Sequence, residues 1–352
     1  MWLTVVVGIL VLSVLVIVHE LGHFMAAKAC GVYVEEFGLG LSPRIYGKKL
    51  GDTIYSINWI PFGGFNKIAG EVDPNVPGGL ASRGYGPRLL VIGGGILMNL
   101  LLPFVLLTVA YAVPHDIVSG DVTVLEVNEG SPAEAAGITA GDVLLSIDGK
   151  PLRSSSELGR YVQVNLGDSI NLVTQHPDGA TEEVSLVPRW NPPEGHGAVG
   201  ILYRTENPVI VSESYRGWQA IVVGFNACIE TMVLYKNGII GLITGTVPLV
   251  MTGPVGIVQI TGEMAQAGIS PVLEMAAFIS IALAVTQLLP FPALDGGRLV
   301  FVVLEMLRRG KKVSHKVENA VHSLGFIILL ALMVAITYQD ILRIVMGESL
   351  IP

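Results

Sequence analysis

Cysteine is nearly missing from this 352-residue chain, where only Cys30 and Cys228 occur. Two cysteines build neither a disulfide framework nor a thiolate metal site, so any bound metal must be held by histidines and carboxylates. Charge is scarce as well, at 14% of residues, where an average soluble domain has about 25%. There is no basic excess. The net charge of −8 denies the chain the cationic face that phosphate binding needs, which excludes nucleic acid as a partner. Hydrophobic residues fill the space instead, at 51%, with a mean hydropathy of +0.62. Disorder, collagen, coiled coil and an ordinary soluble enzyme are excluded. A polytopic α-helical membrane protein remains, with the lipid bilayer as its surroundings and room for one or two extramembrane modules.

Residues 1–18 carry no ionisable side chain and run without a break into His19, Glu20 and His23. The basic start and small-residue cleavage site of a signal peptide are lacking, so residues 2–27 are expected to be a retained transmembrane helix. Leu89–Val113, Ala276–Leu294 and Ser323–Gln339 are further uncharged stretches, for four spans in all. Lys28, Arg44, Lys48, Lys49, Lys67, Arg83 and Arg88 lie between the first two spans, and Arg308, Arg309, Lys311, Lys312 and Lys316 between the last two. Basic connections stay cytoplasmic, which places both termini and the long 114–272 segment outside. Asn237–Gly262 is also uncharged, but it is broken by glycines and prolines, and a fifth span would put the second basic connection outside. Residues 215–262 are therefore expected to form an amphipathic helix and then a re-entrant or surface-lying segment. Backbone at membrane depth outside a helix needs protein or a wet cavity to satisfy it.

The chain thus divides into an N-terminal membrane region (1–113), a polar module (114–212), an amphipathic or re-entrant segment (213–272) and a C-terminal membrane region (273–352). In the polar module, Val122 to Val127 alternates as a strand does. Ser131-Pro132 then opens a short helix that Gly137 stops, and a second strand ends in the hairpin turn Asp148-Gly149. This pattern resembles a PDZ domain, and PDZ domains bind extended peptides by strand addition, here with a peptide C-terminus as the expected ligand.

The chemistry starts at His19-Glu20-Leu21-Gly22-His23. On a helix, residues i and i+4 share a face, so both imidazoles can ligate one ion, and Glu20 is placed to act as general base toward water. Ionisable residues inside an otherwise charge-free span are functional by default. A catalytic zinc site normally takes a third protein ligand, and Asp295 is the candidate, after the proline-broken run Leu288–Leu294. Both spans run from outside to inside, and His19, His23 and Asp295 all fall toward the inner end, at similar depth. The ligand set alone also suits Mn²⁺, Fe²⁺ or Co²⁺.

An HExxH motif in the first span, Leu294-Asp295-Gly296 in a late one and a PDZ-like insert together resemble the site-2 protease family of intramembrane zinc metalloproteases, over nearly the whole chain. The likeness is to bacterial members with a single PDZ domain. Phe37–Pro43 resembles the family's FGxGxGP segment, with Ser42 where Gly is usual. Tyr55–Phe65 resembles its membrane-associated β-hairpin, and Gly253–Ile257 its GPxGI segment. Gln287 stands where the family has Asn, and Ile96 where it has Pro before Asn99. The resemblance implies one Zn²⁺ per chain, on His19, His23 and Asp295 with Glu20 as base. Gln287, Pro290, Pro292, Gly63, Gly64 and Asn99 are the implied substrate-positioning residues. It also implies a multi-pass protein of the bacterial inner membrane, active toward its cytoplasmic side. Its substrates would be single-pass membrane proteins already cut by another protease, such as anti-sigma factors or signal-peptide remnants. The alternating segment Tyr46–Lys67 would pair with an unwound substrate as an added strand. A PDZ scaffold with a structural metal would instead make Glu20 dispensable, and a transporter would want internal repeats that the two halves lack. His115, His176, His196, His315 and His322 are expected to be surface residues.

Overall fold

The computed structural model describes residues 2–247 and 251–346. Residues 1, 248–250 and 347–352, within the segments expected at 1–113, 213–272 and 273–352, lie outside the described residues, as do the side chains of residues 2, 3, 61 and 62. The chain opens with α1 (Trp2–Ala29), β1 (Val34–Leu50), β2 (Thr53–Ile68) and α2 (Tyr85–Ala112). There follow β3 (His115–Val127), α3 (Pro132–Ala135), β4 (Val143–Ile147), β5 (Lys150–Pro151), α4 (Ser155–Val164), β6 (Ile170–Gln175), β7 (Thr181–Leu186) and β8 (Ile201–Glu213). It closes with α5 (Trp218–Thr244), α6 (Pro254–Ala267), α7 (Ile269–Leu288), α8 (Asp295–Leu307) and α9 (His315–Met346). Two compact units result, one of residues 2–110 with 251–346 and one of residues 111–247.

The first unit is built of apolar helices. α1 and α2 meet backbone to backbone, because a side chain on Gly22 would collide with the Gly94 carbonyl and one on Gly94 with Gly22. α6 has 14 residues, about 21 Å of helix, which is short of the roughly 30 Å of a bilayer core. It lies along the N-terminal part of α1, where Gly8 meets Val258 and Gly262 meets Thr4. Its first turn is capped from a distance: the Gly253 and Gly256 N–H groups donate to Asp340 Oδ2 of α9 at 3.0 and 2.8 Å. The expected span 276–294 is shifted to α7, since Pro290 and Pro292 exclude helix beyond Leu288. The β1–β2 hairpin is antiparallel and bent. Residues 36–39 pair both with 64–67 and with 54–57, and residues 44–50 pair with 53–58. Glu36, buried within it, accepts from Arg44 and from Ser56 Oγ at 2.6 Å.

The second unit holds a sheet ordered β7-β6-β4-β3-β8, with β5 paired to β4. Val122, Val124, Ile170 and Leu172 alternate inward, and Leu144 and Ile147 join them across an irregularity in β4, to form its core with Leu158 of α4 and Ala133 of α3. The local readings of sequence recur here. Ser131 Oγ accepts from the Glu134 N–H to open α3, and Asp148 and Gly149 both take positive φ between β4 and β5.

Among the described residues five helices are long and apolar enough to cross a membrane: α1 from Thr4, α2, α5, α7 and α9. The expectation was four, and the additional one is α5, not the stretch 237–262, which Gly245 ends and Pro254 restarts. α5 is fastened at mid-length to the β-rich module. Glu230 lies 3.2 Å from Arg160 and 3.6 Å from Lys150, and Asn237 Nδ2 donates to the Gln163 carbonyl at 2.7 Å. Trp218, Ile221 and Ile229 on its other face are exposed.

Two outcomes follow from these contacts. Asp340→Ala leaves the first-turn N–H groups of α6 without their charged acceptor. It should destabilise the chain by about 1.5–3 kcal/mol, read as a lower thermal unfolding midpoint in detergent, with Asp340→Asn losing less. In the module, His176 Nδ1 sits 2.7 Å from the fully buried Asp142 carboxylate, which holds the imidazole above the ordinary histidine range. A raised histidine stabilises fully below about pH 6.5 and loses that contribution as pH rises through the raised value. Hydrogen-exchange protection of the 139–142 turn should therefore fall between pH 6 and pH 8.5 in the wild type, and not in His176→Phe.

Candidate metal centre

α1 presents His19 and His23 one turn apart, both buried. Their Nε2 atoms are 3.1 Å from each other, and each is 3.1 Å from Asp295 Oδ2. The two rings stand edge to face, at 86°. Asp295 is the first residue of α8, and its Oδ2 has no hydrogen bond of acceptable geometry although it is buried. Three buried atoms, each able to offer a lone pair, thus converge on one point, and among the described residues they form a group able to hold a metal ion. Ligands tetrahedrally arranged about Zn²⁺ at about 2.0–2.1 Å stand about 3.3 Å apart, so the donor set and its spacing fit that ion.

α2 fixes the imidazoles from behind. His23 Nδ1 donates to the Val91 carbonyl at 2.8 Å, which leaves Nε2 bare toward the centre, as a ligating histidine requires. The Asn99 amide lies 3.4 Å from His19 Nδ1, and its Oδ1 has no hydrogen bond. Turning the amide over gives His19 Nδ1–H an acceptor, since the two orientations are interchangeable assignments. Ser280 of α7 in turn donates to the Asn99 carbonyl at 2.8 Å. Gly95 faces the trio directly, and a Cβ there would press on both imidazoles. Glu20 stands beside the trio and outside it, within electrostatic reach of both imidazoles, Asp295 and Arg298.

The other expected positioning residues are less uniformly placed. Asn99 meets His19, and Gln287 Oε1 accepts from the Asp295 N–H at a long 3.4 Å. Gly63 and Gly64 seat the hairpin on α1 against Val16 and Ile17, one turn before His19. Pro292 packs on Gly325 of α9, and Pro290 is exposed outside the trio. His322 corrects the sequence reading, because it is half-buried and accepts from the Ala293 N–H instead of lying on the surface. The signal was available, since His322 is ionisable in a mostly apolar helix, like His19. The Gly93–Gly95 run likewise signalled a close approach to α2. Nothing in the sequence pointed to the Val91 carbonyl.

Two histidines and an aspartate converge within apolar helices, with a glutamate alongside, as a group that could hold a metal ion. The sequence profile of peptidase family M50 matches residues 7–332, and the chain belongs to that family. A Clostridium perfringens protein bearing a zinc-metalloprotease name is 36% identical over 96% of this chain and 98% of its own length. Zinc metalloprotease RasP of Oceanobacillus iheyensis is 28% identical, over 97% of this chain and 99% of its own. The Bacillus subtilis protein named regulator of sigma-W protease RasP is 26% identical, over 97% and 99%. Among solved structures, the PDZ domain of an SdrC-like protein from Listeria monocytogenes matches with 27% identity and a TM-score of 0.21, over 24% of this chain and 87% of that one.

The geometry makes the ligand roles separable. His23→Ala and Asp295→Ala should each lose the bound metal of the purified wild type, measured by elemental analysis, and Glu20→Gln should keep it. Gly95→Ala should also lose most of it, because its methyl would crowd His23 Nε2 and His19.

Proposed function

We propose that this chain is a site-2-type zinc metalloprotease that hydrolyses peptide bonds within the transmembrane segments of membrane-anchored substrates. The observation that carries the reading is the buried convergence of His19, His23 and Asp295 beside Glu20. One Zn²⁺ bound there supplies a Lewis acid that polarises the scissile carbonyl and makes water acidic enough to deprotonate near neutral pH. The chain's own residues do the rest. Val91 and Asn99 hold the two imidazoles with Nε2 turned inward. Glu20 takes a proton on its carboxylate from the attacking water and later returns it to the leaving amine. Gln287, through the Asp295 N–H, keeps the start of α8 in place. The hairpin segment 64–68 pairs with β1 on one side, and its other edge is where an unwound substrate adds as a strand.

The basic connections support a reading in which residues 28–88 and 308–316 are in the bacterial cytoplasm, with both termini and the β-rich module outside the plasma membrane. Four spans (α1, α2, α7 and α9) keep that orientation. α5 then lies along the module, since a crossing helix would carry the Glu230 ion pairs into hydrocarbon. The module is PDZ-like. A groove of about 210 Å³ between α4 and residues 197–203, floored by Leu158, Val162, Val199 and Ile201, suits the apolar end of an extended peptide. The Bacillus subtilis relative's name points to regulators of sigma factors as the substrate class, single-pass proteins that another protease has shortened first.

The experiment is cleavage, in vesicles, of a single-pass membrane peptide with a short outer tail. The wild type should cut within the membrane-spanning residues. Glu20→Gln, with its zinc retained, should be slower by about 10²–10⁴-fold. Zinc-loaded wild type that cuts nothing, or Glu20→Gln that cuts equally well, would favour the scaffold with a structural metal.

A further inference from the structure

Asp295 is presented to the two histidines by the turn 289–294 between α7 and α8, and α9 holds that turn from outside. Ala293 has φ +79, the left-handed region that an alanine enters only under constraint. Its N–H donates to His322 Nδ1 at 3.0 Å. One helical turn further along α9, Gly325 lies so close to Pro292 that a Cβ would collide with the proline's ring and carbonyl. The His322 ring also packs on Phe301 of α8, with centroids 5.4 Å apart. His322, Gly325 and Phe301 thus close around residues 292–293 immediately before the ligand. Elsewhere α9 is bare along most of its length, with Leu324, Phe326, Ile327, Leu330 and Val334 exposed.

The hydrogen bond also fixes the state of the ring. A backbone N–H can only donate, so Nδ1 must carry a lone pair, and the neutral imidazole keeps its proton on Nε2. That Nε2 is buried and has no hydrogen-bond partner among the described residues. The ring is therefore held in place by the one bond to Ala293 and by packing, with no competing polar partner to rotate it.

We infer that His322 is a positioning residue for the metal ligand Asp295: by accepting the Ala293 N–H it holds the left-handed turn that aims the carboxylate at His19 and His23. The inference rests on the metalloprotease reading above. Removing the acceptor frees Ala293 to relax to negative φ, which rotates the start of α8 and moves Asp295 Oδ2 away from the imidazoles. Replacing Ala293 by glycine removes the need for the clasp, because glycine takes positive φ without steric cost.

The test uses the full chain in detergent. Its variants are His322→Leu, His322→Asn, Ala293→Gly and the double variant His322→Leu/Ala293→Gly. The readouts are metal affinity by chelator competition and the visible spectrum of the Co²⁺-substituted protein, which reports ligand geometry independently of proteolysis. His322→Leu should bind metal about 10- to 100-fold more weakly, the usual effect of losing an outer-shell group, with an altered cobalt spectrum. His322→Asn, whose side-chain oxygen can accept the same N–H, should stay near wild type, and the double variant should recover most of the loss. Wild-type affinity and spectrum in His322→Leu would overturn the inference while leaving the metal centre intact. Failure of both His322→Asn and the double variant to improve on His322→Leu would overturn it as well, by showing that the ring acts through packing alone. A well-folded wild type without metal would remove the metalloprotease reading, and the inference with it.

Discussion

Two imidazole nitrogens and a carboxylate oxygen, 3.1 Å apart and out of water, are the constraint around which the first unit is arranged. Buried polar atoms are costly unless something satisfies them, and here each is turned toward the same point. Holding them so requires that α1, α2 and α8 approach more closely than side chains normally allow. Glycine meets that requirement at Gly22 and Gly94, where the backbones touch, and at Gly95, which leaves the space beside the imidazoles open. Larger residues at these positions would separate the helices by the width of a side chain and leave His23 Nδ1 without the Val91 carbonyl.

The same logic extends outward from the centre. α1 is flanked along its N-terminal part by the half-length α6, through Gly8 and Gly262. The start of α6 is in turn fastened to α9 by the two hydrogen bonds to Asp340. α9 is therefore held to the rest of the first unit by Asp340 near one end and by His322 with Gly325 near the other, among other contacts. Eighteen residues of helix separate them, about 27 Å, close to the thickness of a bilayer core. A helix that is mostly bare can keep its place against the rest only through such points, and both are polar groups that would be costly to leave unpaired in an apolar setting.

Much of this could be read from the sequence because it depends on local spacing. His19 and His23 lie one helical turn apart, Ser131-Pro132 opens a short helix and Asp148-Gly149 turns a hairpin, and each pattern is complete within a few residues. The pairing of Asp295 with the histidines was expected from a match of depth, on the reading that charge asymmetry orients both spans alike. What stayed hidden depends on contacts remote in sequence. Val91 offers only a carbonyl, which every residue has. His322 is separated by 29 residues from the alanine it holds. The length of α5 was hidden too: residues 215–262 were expected to hold an amphipathic helix, and the pairing of Glu230 with Arg160 and Lys150 of the module is remote in sequence. Pro290 and Pro292 did mark the end of α7, but hydropathy ran the expected span on through them to Leu294.

α2 is the frame on which both halves of the centre are set. Its Val91, Gly94, Gly95 and Asn99 align the histidines, and its Arg88 forms a buried ion pair with Glu305 of α8, at 2.5 Å. Arg298 of the same helix pairs with Glu71 at 3.1 Å. A buried ion pair adds little net stability over an apolar pair of the same size, because desolvation offsets most of the attraction, yet breaking one is costly. Its value here is positional. Apolar side chains would let α8 slide or rotate along α2 at small cost, carrying Asp295 with it, whereas a buried guanidinium and carboxylate lose their pairing when the register changes. Because Arg88 precedes Val91 by a single helical turn, the contact that fixes α8 and the contact that fixes His23 share one rigid segment. The spacing between the aspartate and the histidines is thereby braced from α2 as well as through α7 and the turn 289–294 that His322 holds.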